Sequence, residues 1–531
     1  MNYLNVFRGT AKPPRSLAYR SEDSTHPLLP LQIGEEDPKA QFWAQRRPSR
    51  GARIWWRRAA AAAGVLGVIG CTLVFAPLLR TVSPDSTIAQ EAVDALYARQ
   101  STSLEQASAR YTLRTGRSPP KYYEEWFHFA QEKRCLIDEY DRVHRDFEPF
   151  YQLAIDNPTL FAARVAHARN RLEGDNAEIA RLEIRDGKVS IAGETAYGAY
   201  WPDTVGHLSE HLPNMTFFMN GRDEPRVAFN YRAPGARTHA LSINDSTPFL
   251  IQPHPTSEFF AQQSGCRNIP LEGTGFMSSA NNASSFLISS AKPGFTTDLY
   301  PMLSMTKMSP CFADIVFPGE YHYGRSWWYG HYRFEDNVPW DRKEDKVYWR
   351  GMSNGGMILG DNYHDFARFR AVDLARAHPE LMDVAITTFA ETLCEEDCDR
   401  DAVIAEYNIT GVGEPREDVY GYKYVLDLDG TTFSGRFLGL LKSGSLVFKS
   451  TLFEEYFSDW LKPFEHYVPV LPDLSDLVQK SEWANKHPQE ARMIQQKGLE
   501  FTRRVITDEQ NDCYLFAVLI EWAQLQGVDS S

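Results

Sequence analysis

The chain is 531 residues long, 43% hydrophobic and 24% charged, with a formal net charge of −14. That length exceeds one ordinary domain, and the balance of residues excludes a wholly disordered or collagen-like chain. The charge is uneven: residues 1–58 hold 11 Lys and Arg against 5 Asp and Glu, so the remainder carries −20 and lacks the basic face that a general nucleic-acid binder needs.

Residues 1–58 mix Pro, Ser and Arg with little periodic apolar character and read as a disordered tail. Ala59 to Leu79 follows, 21 residues without a charge. As a helix it spans about 31 Å, matching a hydrocarbon core of about 30 Å. A cleavable signal peptide has a shorter apolar region nearer the N-terminus. Arg46, Arg47, Arg50, Arg53, Arg57 and Arg58 crowd the N-terminal flank, so the positive-inside rule keeps the tail cytosolic and sends the rest across. The expectation is a single-pass type II membrane protein.

Four N-glycosylation sequons follow the span, at Asn214, Asn244, Asn282 and Asn408, and they permit a lumenal body. Cys71 lies in the span; Cys135, Cys266, Cys311, Cys394, Cys398 and Cys513 allow up to three disulfides, with the pairing open. The Cys394–Cys398 spacing lacks the second pair or nearby His of a metal site.

Residues 80–115 read as a stem with one helix over Ile88 to Arg110, and Tyr122 to Ala154 as one or two amphipathic helices. From about residue 180, short β-rich runs alternate with helices: Val347–Trp349, Met382–Thr388, Tyr422–Leu428, Ser445–Lys449 and Tyr467–Leu471. Residues 476–526 look helical again. Alternation of this kind predicts an α/β body with parallel sheets.

Three segments put polar residues where strands end, which is where open α/β sheets bind ligands. Tyr422 to Lys449 reads as strand, loop, short helix and strand. The loop Thr431-Thr432-Phe433-Ser434-Gly435-Arg436 offers hydroxyls, backbone N–H groups and an Arg suited to an anion. A merely capped helix would have the same pattern. Lys346 to Gly356 ends a strand at Arg350-Gly351, a second cation for a diphosphate or a structural ion pair. Met215 to Arg226 ends a strand at Asn220-Gly221 and presents Asp223, a general base or a turn carboxylate.

The run from Lys423 to Leu477 (KYVLDLDGTTFSGRFLGLLKSGSLVFK…) resembles the core of the capsule-associated glycosyltransferase family, family 90 of the glycosyltransferases. VPWDRKEDKVYWRG and NGRDEPR resemble its other two blocks, in order, and YTLRTGRSPPKYYEEWFHFA resembles fungal members; together the resemblance covers roughly residues 110–525. It implies two Rossmann-like domains of B-type glycosyltransferase architecture facing a cleft, behind the transmembrane helix and helical stem. The expected layout is 1–58 tail, 59–79 signal anchor, 80–115 stem, 116–335 an N-terminal helical region with the acceptor-side domain, and 336–531 the nucleotide-sugar domain with C-terminal helices. It also implies an inverting transfer from a UDP-sugar to a hydroxyl of a glycan or glycoprotein in the Golgi lumen, the endoplasmic reticulum being the other compartment. Asp223 falls on the family's catalytic base. Arg350, Thr431, Thr432, Phe433, Ser434 and Arg436 fall on its donor contacts.

Asp427-Leu428-Asp429 resembles the Asp-x-Asp metal clamp of nucleotide-sugar enzymes. The family's architecture works without a bound metal, so the expectation is no cofactor and no metal ligand. Tyr420 stands where animal members carry a cysteine, so their disulfide pattern does not transfer. UDP-xylose is the expected donor, from fungal members that build xylose-bearing glycans. The alternatives are a protein O-glucosyltransferase using UDP-glucose and a catalytically inactive glycan-binding membrane protein.

Overall fold

The computed structural model describes residues 84–172, 179–192, 201–242, 299–325, 336, 338–356, 358, 360–394 and 397–527. The expected tail and the span Ala59–Leu79 lie outside the described residues, as do Asn244, Asn282, Cys71 and Cys266. Among the described residues no helix is long and apolar enough to cross a membrane. Thr81 to Ser531 forms one compact unit.

The segment expected as a stem forms two helices, α1 (Pro84–Ala98) and α2 (Leu104–Thr115). The single helix expected over Ile88 to Arg110 breaks because Ser103 caps α2, its hydroxyl accepting from Gln106 N at 3.3 Å. Ser101 beside it gives both its N–H and its hydroxyl to the buried Asp138 carboxylate, at 2.6 and 2.9 Å. Three more helices follow: α3 (Tyr123–Glu132), α4 (Asp141–Asp156) and α5 (Pro158–Leu172).

The first sheet is built from β1 (Ile179–Arg185), β2 (Lys188–Ala192), β3 (Met215–Asn220), β4 (Leu303–Ser304) and β6 (Ile315–Val316), in the order β2-β1-β3-β4-β6. Only β3, β4 and β6 run parallel; β1 is antiparallel to both its neighbours. The parallel Rossmann-like half expected here is therefore a mixed sheet. The cause is local. Asp186 and Gly187 join β1 to β2 with φ of 49° and 70°, and a two-residue turn with both φ positive closes an antiparallel hairpin. The short helices α6 (Trp201–Gly206) and α7 (Ala236–Ser242) flank this half.

The second sheet consists of β7 (Glu344–Met352), β8 (Met382–Thr388), β9 (Tyr422–Leu428), β10 (Leu446–Ser450) and β12 (Val468–Pro469), all parallel, in the order β12-β10-β9-β7-β8. Between them run α8 (Ala367–Ala377), α9 (Arg400–Tyr407) and α10 (Phe437–Leu441). Both faces are apolar, as a covered parallel sheet requires. Val425 and Val447 join the core shared with the first half, while Tyr424, Leu426, Leu446 and Phe448 join a second core. The strand order reverses between β7 and β9, and in such sheets the ligand crevice opens at that switch point.

The chain then returns to the first half. After α11 (Leu477–Lys486) and α12 (Pro488–Arg504), which packs on α1, the helix α13 (Asp508–Leu525) packs on α3 and α4. Trp522 Nε1 donates to Thr216 O at 3.1 Å, and Cys135 is disulfide-bonded to Cys513. Cys394 is bonded to Cys398, and Cys311 is also disulfide-bonded. A further link joins the halves: β5 (Thr306–Lys307) pairs antiparallel with β11 (Glu454–Glu455).

Candidate active site

Asp223 follows β3, whose six residues are all buried. The loop after the strand is pinned by its own backbone. Asn220 Nδ2 donates to Glu224 O at 2.6 Å, and Asn220 Oδ1 accepts from Arg222 N at 3.1 Å. Arg226 N and Val227 N both donate to the Asp314 carboxylate at 2.8 Å. Asp223 stays half-buried between these anchors, whereas Glu224 is buried. Burial, and after it the Asp223 charge, push the Glu224 carboxyl up to about 7.

The second contribution is the loop between β9 and α10. One pocket joins the two: Asp223 and Tyr321 from the first half, and Asn354, Arg368 and Gly430 to Arg436 from the second. It opens at the switch point, beyond the carboxyl ends of β7 and β9. Thr431, Thr432, Phe433, Ser434 and Arg436 thus share a pocket with Asp223. The buried Thr432 Oγ1 and Asn354 Oδ1 have no hydrogen-bond partner. Orphaned polar atoms facing a pocket are what a polar ligand would satisfy.

Arg368, on α8, went unrecognised in the sequence, where Ala367–Ala377 is an ordinary amphipathic helix. Its Nε donates to Asp429 O and its Nη1 to Met352 O, both at 2.9 Å. Its guanidinium lies 5.3 Å from the Trp349 ring centroid, and that of Arg436 5.5 Å from the same ring. Arg436 Nη1 in turn donates to Arg350 O at 2.7 Å. Among the described residues neither guanidinium has a carboxylate at ion-pair distance; backbone carbonyls hold both. Burial, and after it the Arg436 charge, push Arg368 down to about 9. Two such cations side by side suit an anion. Gly430 permits this approach, since a Cβ there would stand 2.8 Å from Arg368 Nη2.

Arg350 sits differently. Its Nη2 is 2.6 Å from Asp383 Oδ1 and its Nε 2.8 Å from Glu414 Oε2. It lines an adjoining cavity with Tyr348, Trp349, Glu414 and Arg436, not the one that holds Asp223. What it gives the Asp223 pocket directly is its carbonyl, which holds Arg436.

The two aspartates of the Asp-x-Asp triplet are buried. Asp427 accepts the Ser434 hydroxyl on one oxygen and lies 3.1 Å from Lys449 Nζ with the other. Asp429 Oδ2 accepts from Leu452 N at 2.8 Å, and burial pushes its carboxyl up to about 7. No group of three or more His, Cys, Asp or Glu side chains among the described residues is arranged to hold a metal ion.

Comparison with known proteins bears on this pocket. The chain is 31% identical over 188 residues to protein O-glucosyltransferase 2 of Danio rerio, covering 35% of this chain and 34% of that one. Over 188 residues it is 29% identical to protein O-glucosyltransferase 3 of Homo sapiens, covering 35% and 33%. It is 27% identical over 193 residues to human protein O-glucosyltransferase 1, covering 35% and 43%. The chain therefore spans only about a third to two-fifths of the length of these relatives. A family match runs over residues 326–531, a segment that includes Arg350, Arg368 and Thr431 to Arg436 and begins after Asp223. The family so matched is glycosyl transferase family 90.

Proposed function

We propose that the protein is an inverting glycosyltransferase that moves a sugar from a UDP-sugar to a hydroxyl of a glycan or glycoprotein. The observation that carries this reading is the pocket that brings Asp223 together with two arginines that have no carboxylate at ion-pair distance among the described residues. Asp223 takes the proton of the acceptor hydroxyl. The acceptor oxygen bonds to the anomeric carbon as the bond from that carbon to the diphosphate oxygen breaks. Its electron pair leaves with UDP, and the anomeric centre inverts. Arg368, Arg436 and the backbone N–H groups near Ser434 stabilise charge building on the leaving diphosphate; fixed cations and dipoles do this without reorganising.

In this reading those cations neutralise the diphosphate in place of a divalent ion, so the reaction runs without metal and turnover survives EDTA. Loss of activity on chelation, restored by Mn²⁺, would return Asp427 and Asp429 as ligands. The fungal resemblance favours UDP-xylose as donor. The names of the matched relatives favour a second reading, UDP-glucose with a protein acceptor. The body works in the lumen of the Golgi, or of the endoplasmic reticulum, anchored by Ala59–Leu79. The test is a donor screen on the full chain in detergent, reading UDP release with and without acceptor. Release from one UDP-sugar names the donor; release from none would leave the inactive glycan-binding protein as the reading.

A further inference from the structure

Behind the loop, and outside the pocket lining, four ionisable side chains lie buried: His322, Asp427, Lys449 and Glu455. Lys449 on β10 is the register partner of Asp427 on β9. Its ammonium is 3.1 Å from Asp427 Oδ2, 3.8 Å from Glu455 Oε2 and 3.8 Å from the centroid of the Phe437 ring. The other Asp427 oxygen accepts the Ser434 hydroxyl. Glu455 Oε1 lies 3.0 Å from His322 Nε2. Because His322 Nδ1 accepts from Gly319 N at 2.9 Å, Nε2 carries the proton and donates. That imidazole stacks on Phe433, centroids 5.9 Å apart and planes at 21°. Phe433, Ser434 and Phe437, on either side of Arg436, are thus each held by a member of one buried chain.

We propose that Lys449 is a positioning residue for the donor loop: it fastens Asp427, which fastens Ser434, while its ammonium rests on the ring of Phe437. Arg436, flanked by those two residues, then meets a nucleoside diphosphate in one orientation. The proposal rests on reading the pocket as a UDP-sugar site. It also changes the part played by Ser434. Its one hydroxyl proton goes to Asp427, so it offers a phosphate its backbone N–H and not that proton. Burial alone would push the Lys449 ammonium down; Asp427, Glu455 and Asp429 together hold it above its ordinary value. A buried pair of this kind adds little net stability, since desolvation offsets the Coulomb gain. What it supplies is a single geometry for the loop.

The test is calorimetric UDP binding, with donor KM and kcat, on the full chain in detergent, melting being followed for each variant. Lys449→Met keeps the stem and removes the charge; UDP binds about tenfold more weakly and donor KM rises more than kcat falls. Lys449→Arg restores most of the affinity. Ser434→Ala leaves no charge unpaired and serves if Lys449→Met does not fold; it weakens UDP a few-fold, about as one lost hydrogen bond does. In the double variant the two losses fall short of adding, because both act through one loop. Wild-type affinity in folded Lys449→Met or in Ser434→Ala, or fully additive losses, would overturn the proposal. A full chain that binds no UDP, or whose UDP binding ignores Arg436→Ala, would sink the reading of the pocket and this proposal with it.

Discussion

Asp223 and Arg436 occupy one pocket, and in the proposed reaction they do different work, which substitution separates. Asp223→Asn keeps the shape and cannot take a proton, so turnover falls about 10²- to 10⁴-fold while UDP affinity holds. Arg436→Ala removes a charge-assisted contact worth about 1.5–3 kcal/mol, so UDP binds on the order of ten- to a hundredfold more weakly. Arg368→Met behaves like Arg436→Ala. Calorimetry beside initial rates decides; Asp223→Asn with near-normal turnover would make that side chain a structural carboxylate. Glu224 yields a pH prediction. Its carboxyl is pushed from 4.5 up to about 7, by burial first and by the Asp223 charge second. Below pH 4.5 it is protonated in folded and unfolded chains alike. Between 4.5 and about 7 the unfolded chain releases a proton that the folded chain keeps, so stability falls as pH rises through that window, by about 3 kcal/mol at most. Asp429 adds to the same fall. Glu224→Gln should remove its own share: the variant gains melting temperature over wild type at pH 7.5 and not at pH 4.5. Parallel melting curves across that range would reject the assignment. Of these residues, Asp223, Ser434 and Arg436 were legible in the sequence because each sits in a short motif at a strand end. Arg368, Asn354 and Tyr321 were not. They reach the pocket only once β7 and β9 lie side by side and the segment carrying Tyr321 crosses from the first half. Arg350 was legible as an arginine at a strand end, but its two carboxylate partners, Asp383 and Glu414, lie 33 and 64 positions away.

At the scale of elements, strands were read best where both faces are apolar. Met382–Thr388 and Tyr422–Leu428 stand as expected, and β10 is displaced by one residue. The first half was read less well because β4, β5 and β6 are two residues each, too short for any periodicity. Asp186-Gly187 was a hairpin signal in plain view, and recognising it would have made the first sheet mixed from the outset. Pairing of the cysteines lay beyond sequence reasoning, since it depends on how α13 returns to the first half. The Cys135–Cys513 bond closes a loop with a sequence separation of 378 and fastens α13 to the segment between α3 and α4. Closing so long a loop restricts the unfolded chain strongly, and removing such a bond costs about 2–5 kcal/mol. Cys135→Ala with Cys513→Ala should therefore lower the melting temperature of the full chain. UDP affinity at 25 °C should hold, because neither residue lines the pocket. Unchanged melting would mean that the bond does not form in the protein.

At the scale of the whole molecule, the disulfides bear on the compartment. Cys135, Cys311, Cys394, Cys398 and Cys513 are the cysteines among the described residues, and all five are disulfide-bonded. Disulfides persist in oxidising compartments and are rare in the cytosol. Both sequon asparagines among the described residues are exposed. Asn214 is exposed just before β3. Asn408 is exposed at the end of α9, where φ of 52° turns the chain out of the helix. Neither residue lines the pocket, so a glycan at either would leave donor access free. If Ala59–Leu79 anchors the chain with its basic flank in the cytosol, everything from Thr81 onward lies in the lumen and both asparagines carry glycans. Protease added to intact microsomes should then remove only the tail before Arg58. Asn214→Gln and Asn408→Gln should each speed migration of the body by one glycan, a difference that glycosidase treatment of both partners erases. A body digested without detergent would place Asp223 and the donor loop on the cytosolic face. In that case the disulfides would have to be reduced in the living cell, and a lumenal acceptor would be out of reach.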